Sequence, residues 1–401
     1  MDWVSGLQGI NLLWTAVVTA LAGLGGAYAI GSALSTRRFT ERLDTLKSEN
    51  ERLSAENEQT RLDLDFTQLQ LGATSPGAPS FPLIAVDTAR NMWLREVSTT
   101  LPPASKPILV IANLKGGVAK TMLAANLAAY FSMRGRYPAT SELKNKNVLL
   151  VDLDYQGSLS GMILDAMDPT PMNQHPNRWA QALFSEQPAH DVLSWRVSPA
   201  ANLPRLSLYP AEYGFDDFEA REAQAWLAEP SRDIRFALGR TLRSQTFAEA
   251  FDLTIIDTGP RITLGAVAAL AAATHLLIPT APDHRSREAA SRFLRRVTEL
   301  RAARVCPELQ LVGVAPTLVT SHNEDLLAPA AATFGGVVSR PELAWARPAR
   351  GRPVMLPSVL PFSYPIQNAA EVSIPYLEAR QIRIIVNAIG AEVESRITNA
   401  D

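Results

Sequence analysis

Lys115-Gly116-Gly117-Val118-Ala119-Lys120-Thr121 lies just beyond the apolar run Ile108-Leu109-Val110-Ile111 and opens a helix-like segment. A strand that ends near a glycine pair lets the backbone turn sharply. Successive N–H groups then converge on an anion, and the following helix N-terminus adds its partial positive charge. The stretch therefore predicts a phosphate cradle built from Gly116, Gly117, Val118, Ala119, Lys120, Thr121 and Met122. Lys120 is expected to reach the β- and γ-phosphates of a nucleotide, and the Thr121 hydroxyl to sit on Mg²⁺. From Met122 to Met133, Leu123, Leu127 and Phe131 share one stripe, which predicts a helix packed on a sheet.

Two further segments agree. Asn147-Val148-Leu149-Leu150-Val151 has the pattern of a buried strand and ends in Asp152-Leu153-Asp154-Tyr155-Gln156-Gly157. Leu253-Thr254-Ile255-Ile256 does the same and ends in Asp257-Thr258-Gly259-Pro260. Carboxylates at the C-terminal ends of parallel strands converge on the crevice that holds the ligand of an open α/β sheet. One of them can hold Mg²⁺ while another orients an attacking water. The fold expected is α/β, a mostly parallel twisted sheet with helices on both faces.

The three motifs resemble those of the ParA/MinD family of deviant-Walker P-loop ATPases, whose pattern runs KGGxGKT, then DxDxQ, then a DTPP-like Walker B. Leu208-Tyr209-Pro210-Ala211 and His275-Leu276-Leu277-Ile278-Pro279 stand where that family has similar strand ends, so the likeness covers about the last three quarters of the chain. The resemblance implies ATP and Mg²⁺ as ligands and a homodimer that sandwiches nucleotide between two heads. By it, Lys115 reaches across to the partner's phosphates and Asp154 positions water, while Asp152 and Asp257 join Thr121 in the magnesium shell. Ala119, Met122 and Gly259 depart from the pattern. A Cβ at position 119 is expected near the phosphate oxygens, where it weakens binding or slows turnover.

The chain has 401 residues, 47% of them hydrophobic, and a net charge of −2, so any attraction to polyanions has to be local. Cys306 is the single cysteine, which excludes an intramolecular disulfide and agrees with a reducing compartment. The five histidines show no metal-ligand spacing. No charged residue occurs between Asp2 and Arg37, and Leu12 to Leu34 is apolar enough to cross a hydrocarbon core of about 30 Å. Residues 1–36 are therefore read as a transmembrane anchor of the cell inner membrane. Arg37 and Arg38 keep the following chain on the cytoplasmic side.

Beyond the arginines, Phe39, Leu43, Leu46, Asn50, Leu53, Asn57, Thr60 and Leu64 alternate at spacings of four and three. Residues 37–71 thus read as a coiled-coil stalk, with Asn50 and Asn57 at a positions favouring a parallel dimer. Residues 72–106 form a Gly/Pro/Ser-rich linker with a short helix over 85–97, and 107–398 the ATPase domain.

Helices are expected around 179–184, 215–227 and 234–247, and an amphipathic helix over 374–397 closes the domain. Arg285, Arg287, Arg292, Arg295, Arg296, Arg301 and Arg304 crowd one further helix, with a second cluster at Arg340, Arg347, Arg350 and Arg352. In the resembling family such residues hold nonspecific DNA, and anionic lipid is the equivalent target for a tethered protein. The function expected is a membrane-anchored dimerisation switch that positions or regulates a partner protein or DNA. A non-hydrolysing nucleotide-bound scaffold is the alternative. A polysaccharide-export type tyrosine kinase is disfavoured, because the tail from Ile382 to Asp401 lacks a tyrosine cluster.

Overall fold

In a computed structural model the described residues run from 92 to 398, apart from 96, 98–99, 138–139, 165–178, 198–202, 212–213, 230–231, 349–350, 363–372 and 379. They belong to one compact unit, Val86–Asp401. The expected membrane span, the stalk and most of the linker lie outside the described residues. Among those described, no helix is long and apolar enough to cross a membrane.

Among the described residues seven parallel strands form the sheet: β1 (Ile108–Ile111), β2 (Val148–Leu153), β3 (Leu206–Tyr209), β4 (Leu253–Thr258), β5 (His275–Thr280), β6 (Gln310–Val319) and β7 (Leu360–Pro361). Their order is β3-β2-β4-β1-β5-β6-β7. Every residue of β1, β2, β4 and β5 is buried, as strands covered on both faces must be. The chain leaves β1 toward β2 on one side and later crosses from β4 to β5 on the other. This reversal opens a crevice at the C-terminal end of β1.

Among the described residues, six helices have nine residues or more: α1 (Lys120–Met133), α2 (Phe215–Ala228), α3 (Leu264–Ala272), α4 (His284–Ala302), α5 (Leu327–Val338) and α6 (Arg380–Thr398). Alternation along the strands divides the core. Leu109 and Ile111 face a cluster with α1 and α6, whereas Ile108 and Val110 face one built with α3, α4 and α5. The single stripe expected on α1 is too narrow a description, because nearly every side chain of α1 from Leu123 to Met133 is buried. The reason is α6, which covers the outer side of α1. Gly390 of α6 comes so close to the Tyr130 ring that no Cβ fits between them.

Other boundaries shift for local reasons. The helix expected over 234–247 breaks into short pieces at Arg243–Ser244, where the Ser244 side chain accepts from Phe247 N and restarts the chain as a new helix. The closing helix begins as a separate turn, Pro375–Glu378. Of the helix expected over 85–97, the described part is one 3₁₀ turn, Met92–Leu94.

That turn is pinned to the domain. Arg235, fully buried, pairs with Asp233 at 2.5 Å and donates to the carbonyls of Trp93 (2.8 Å) and Arg95 (2.9 Å). Its guanidinium lies 4.7 Å from the Trp226 ring centroid, and Trp226 stacks on Trp93. Removing one partner of a buried pair leaves the other charge uncompensated. Arg235→Ala is therefore expected to cost about 3–5 kcal/mol in urea denaturation, and a loss below about 1 kcal/mol would refute the pin.

Candidate functional site

The cradle begins where β1 ends. Asn113 ties this end to β5, donating to Pro279 O (2.8 Å) and Thr280 Oγ1 (3.1 Å), and its Oδ1 accepts from Lys115 N. Gly117 has φ +67°, a conformation glycine adopts without steric penalty. A Cβ placed on Gly116 or Gly117 would meet nothing within 4 Å, so the space above the loop is open. Thr317 Oγ1 donates to Val118 O at 3.0 Å and fastens the loop to β6.

Ala119 is the N-cap of α1 with φ 60° and ψ 32°, in the left-handed region. Its departure from glycine therefore acts through the backbone as well as through the methyl group. A non-glycine residue held there carries about 1–2 kcal/mol of strain.

Residues 116–122 line a cleft of about 400 Å³ together with Asp154, Gln156, Ser158, Met162, Pro260, Leu318, Leu360, Pro361 and Phe362. That volume suits a small-molecule ligand. One wall is backbone and charge. The other, made by Met122, Met162, Leu318, Leu360 and Phe362, is apolar.

The charged groups converge from three strand ends. The register pairs Ile111 with Asp257 and Asp152 with Asp257. Lys120 is buried at the start of α1 and donates to Lys115 O at 3.0 Å. Burial lowers its pKa, against the pull of Asp257 and then Asp154. Asp257 is fully buried, and neither of its oxygens has a partner of full hydrogen-bond geometry among the described residues, the Thr121 hydroxyl lying near enough only to oppose the rise of its pKa. Burial first, and then the Asp152 carboxylate beside it, push Asp257 well above the ordinary carboxylate range, with Thr121 and Lys120 opposing.

Asp152 differs. Its Oδ1 accepts from Asp154 N (3.0 Å), and its Oδ2 accepts from Ser160 N (2.9 Å) and Ser160 Oγ (2.6 Å). Burial raises its pKa to about 6 despite those bonds. It thus folds the loop that presents Asp154, whereas Asp257 is left without comparable hydrogen bonds. Asp154 is buried at the cleft, where its Oδ1 accepts from Gln156 N at 3.2 Å.

The donor set fits a hard cation. Hard divalent ions take oxygen ligands, and the buried Asp257 carboxyl group beside the Thr121 hydroxyl supplies oxygens of that kind. Lys120, Thr121, Asp154 and Asp257 are brought together, with Asp152 behind them. Lys115 is drawn aside: its Nζ donates to Ser286 Oγ at 2.6 Å and lies 3.5 Å from Asp283, at the N-terminus of α4.

Sequence reasoning missed that pairing, although Asp283 three residues before Ser286 at a helix start is a readable cap, and its side chain does accept from Ser286 N. It also missed Asn113, Ser160 and the apolar wall, which have no local signature.

The basic cluster is less free than its spacing implies. Arg292 pairs with Glu288 and Arg296 with Glu299, while Arg301 donates to the carbonyls of Cys306 and Leu309 and lies over Trp345. Arg347 donates to the carbonyls of Val338 and Ser339 at the end of α5. Arg285, Arg292, Arg295 and Arg304 remain exposed on or just beyond α4.

A family model described as an AAA domain, AAA_31, matches residues 106–311. The chain is 26% identical over 193 residues to a putative replication protein A of Rhizobium rhizogenes, covering 48% of this chain and 44% of that one. It is 29% identical over 210 residues to the chromosome-partitioning ATPase Soj of Thermus thermophilus, covering 52% and 68%. The chain thus spans less than half the length of the first of these relatives. Among solved structures, apo McdA of Cyanothece superposes with a TM-score of 0.54 at 21% identity, over 72% of this chain and 99% of that one, and so shares the fold.

Replacing Ala119 by glycine removes the left-handed strain at the cost of some unfolded-chain entropy. Ala119→Gly is expected to stabilise the protein by about 0.5–1 kcal/mol. It is also expected to bind ATP at least as tightly as wild type, read by denaturant unfolding and by fluorescent-nucleotide titration. A destabilised variant would show that the loop is relaxed as it stands.

Proposed function

The chain belongs to the AAA_31 family of AAA domains, in the ParA/MinD group of P-loop ATPases, and on that premise we propose an ATP-binding, ATP-hydrolysing dimerisation switch that positions or regulates a partner protein or DNA. One observation carries the reading. An open backbone cradle, the buried Lys120 and the buried Asp154 line one cleft, with the fully buried Asp257 within electrostatic reach of Lys120, Thr121 and Asp154.

The amides from Gly116 to Thr121 bind and orient the polyphosphate, and Lys120 neutralises its distal charge. Thr121 and Asp257 would hold Mg²⁺, with Asp152 buttressing them; bound there, the ion supplies charge neutralisation for the phosphoryl oxygens. Asp154 orients the attacking water, held at its angle by the Asp152–Ser160 turn. Lys115 has to leave Asp283 and Ser286 to reach a second copy's phosphates, which makes head closure reversible. The apolar wall of Met122, Met162, Leu318, Leu360 and Phe362 takes the base.

The finer reading is a tethered switch. The uncharged interval from Leu12 to Leu34 and the heptad spacing from Phe39 to Leu64 support an anchored, parallel dimer with its ATPase heads on the cytoplasmic face. Exposed Arg285, Arg295 and Arg304 support a phosphate-bearing partner, nonspecific DNA or anionic lipid.

In ATP titration and single-turnover assays, Lys120→Ala is expected to lose most nucleotide affinity. Asp154→Ala should keep it while turnover falls about 10²-fold or more. Binding by Lys120→Ala equal to wild type would refute the cradle. Carbonate extraction should leave the full chain in the membrane fraction, and DNA affinity should fall as salt rises. Release by carbonate would remove the anchor, and a salt-independent affinity the phosphate contact.

A further inference from the structure

α2 sends one carboxylate inward. Glu219 is buried, and its Oε1 accepts a hydrogen bond of 2.5 Å from Gly265 N in the first turn of α3. Thr263, at the N-cap of α3, makes no side-chain cap bond. Glu219 therefore supplies from another helix an acceptor that the first turn lacks, and its negative charge suits that helix end. Burial holds its pKa up, to about 7, against Thr263, the Gly265 amide and Arg261; Asp216 also raises it.

The loop 259–263 joins this anchored helix to the Walker B strand, and it abuts the Asp154 loop twice. A Cβ on Gly259 would lie 3.3 Å from Asp154 Oδ1, so the backbone there is in near contact with that carboxylate. Arg261 lies over the Tyr155 ring at 5.0 Å. One end of the loop is thus fixed by β4, the other by Glu219, and its body forms a wall against Asp154 and Tyr155.

We propose that Glu219 is a positioning residue for hydrolysis: its hold on the N-terminus of α3 sets the 259–263 loop against Asp154. The inference rests on the ATPase reading above. It predicts a split between binding and turnover. Glu219 touches neither the cradle nor Lys120, whereas a misplaced loop lets the Asp154 carboxylate drift, and a 1 Å misplacement costs about 10²-fold in rate.

The test measures kcat for ATP and the Kd of fluorescent ATP in the full chain. The set is wild type, Glu219→Ala, Glu219→Gln and Gly265→Ala. Glu219→Gln keeps an amide oxygen that accepts from Gly265 N and should stay within about twofold of wild type, while Glu219→Ala should lose about tenfold in kcat at unchanged Kd. Gly265→Ala puts a Cβ 2.8 Å from Glu219 Oε1 and should follow Glu219→Ala. It decides the matter if Glu219→Ala fails to fold. Wild-type turnover in folded Glu219→Ala, or equal loss in Glu219→Ala and Glu219→Gln, overturns the inference and leaves the ATPase reading standing. A wild-type chain that binds ATP without hydrolysing it overturns both.

Discussion

Four charged side chains, Lys120, Asp152, Asp154 and Asp257, are taken out of water together at the C-terminal ends of β2 and β4 and the start of α1. Burial is costly for each alone, and hydrogen bonds or opposite charge offset that cost unequally among them. Asp152 is compensated by two amides and a hydroxyl, and Lys120 by a carbonyl and two nearby carboxylates. Asp257 has no such hydrogen bonds among the described residues. Burial and mutual repulsion push Asp257 and Asp152 toward their neutral forms, and a divalent cation beside them would favour the charged, ligating forms instead.

Holding such an arrangement requires a stiff frame. Parallel strands buried on both faces provide it, and α1 is clasped between the sheet and α6 by small side chains at Ala124, Ala125, Ala128 and Ala129. Asn113 and Thr317 lace the loop to β5 and β6 through buried hydrogen bonds that link residues distant in the chain. Ala119 then carries its strain in a loop that has little room to relax, which is the setting in which strained backbone persists.

Arginine serves this chain more as a structural donor than as surface charge. Arg235, Arg243, Arg301, Arg347 and Arg396 all cap backbone carbonyls, and a planar, fully charged fork suits that task better than an ammonium. A cluster counted along the sequence therefore overstates the charge offered to a partner. What remains exposed around α4 is Arg285, Arg292, Arg295 and Arg304, and Arg292 is already paired with Glu288.

The cradle and the two aspartate-tipped strands were legible in the linear chain, because glycine pairs, apolar runs and the residues that end them are local features. The α/β class and the parallel sheet followed from their alternation. The sequence by itself determined which groups the fold brings together: Lys120, Thr121, Asp154 and Asp257. Tertiary structure alone decided how they differ. Asp152 is satisfied and Asp257 is not, Lys115 rests on Asp283 and Ser286, and Glu219 caps a helix 46 positions away. Each of those facts depends on the register of strands and the approach of helices, and so on packing between segments that no window along the chain contains.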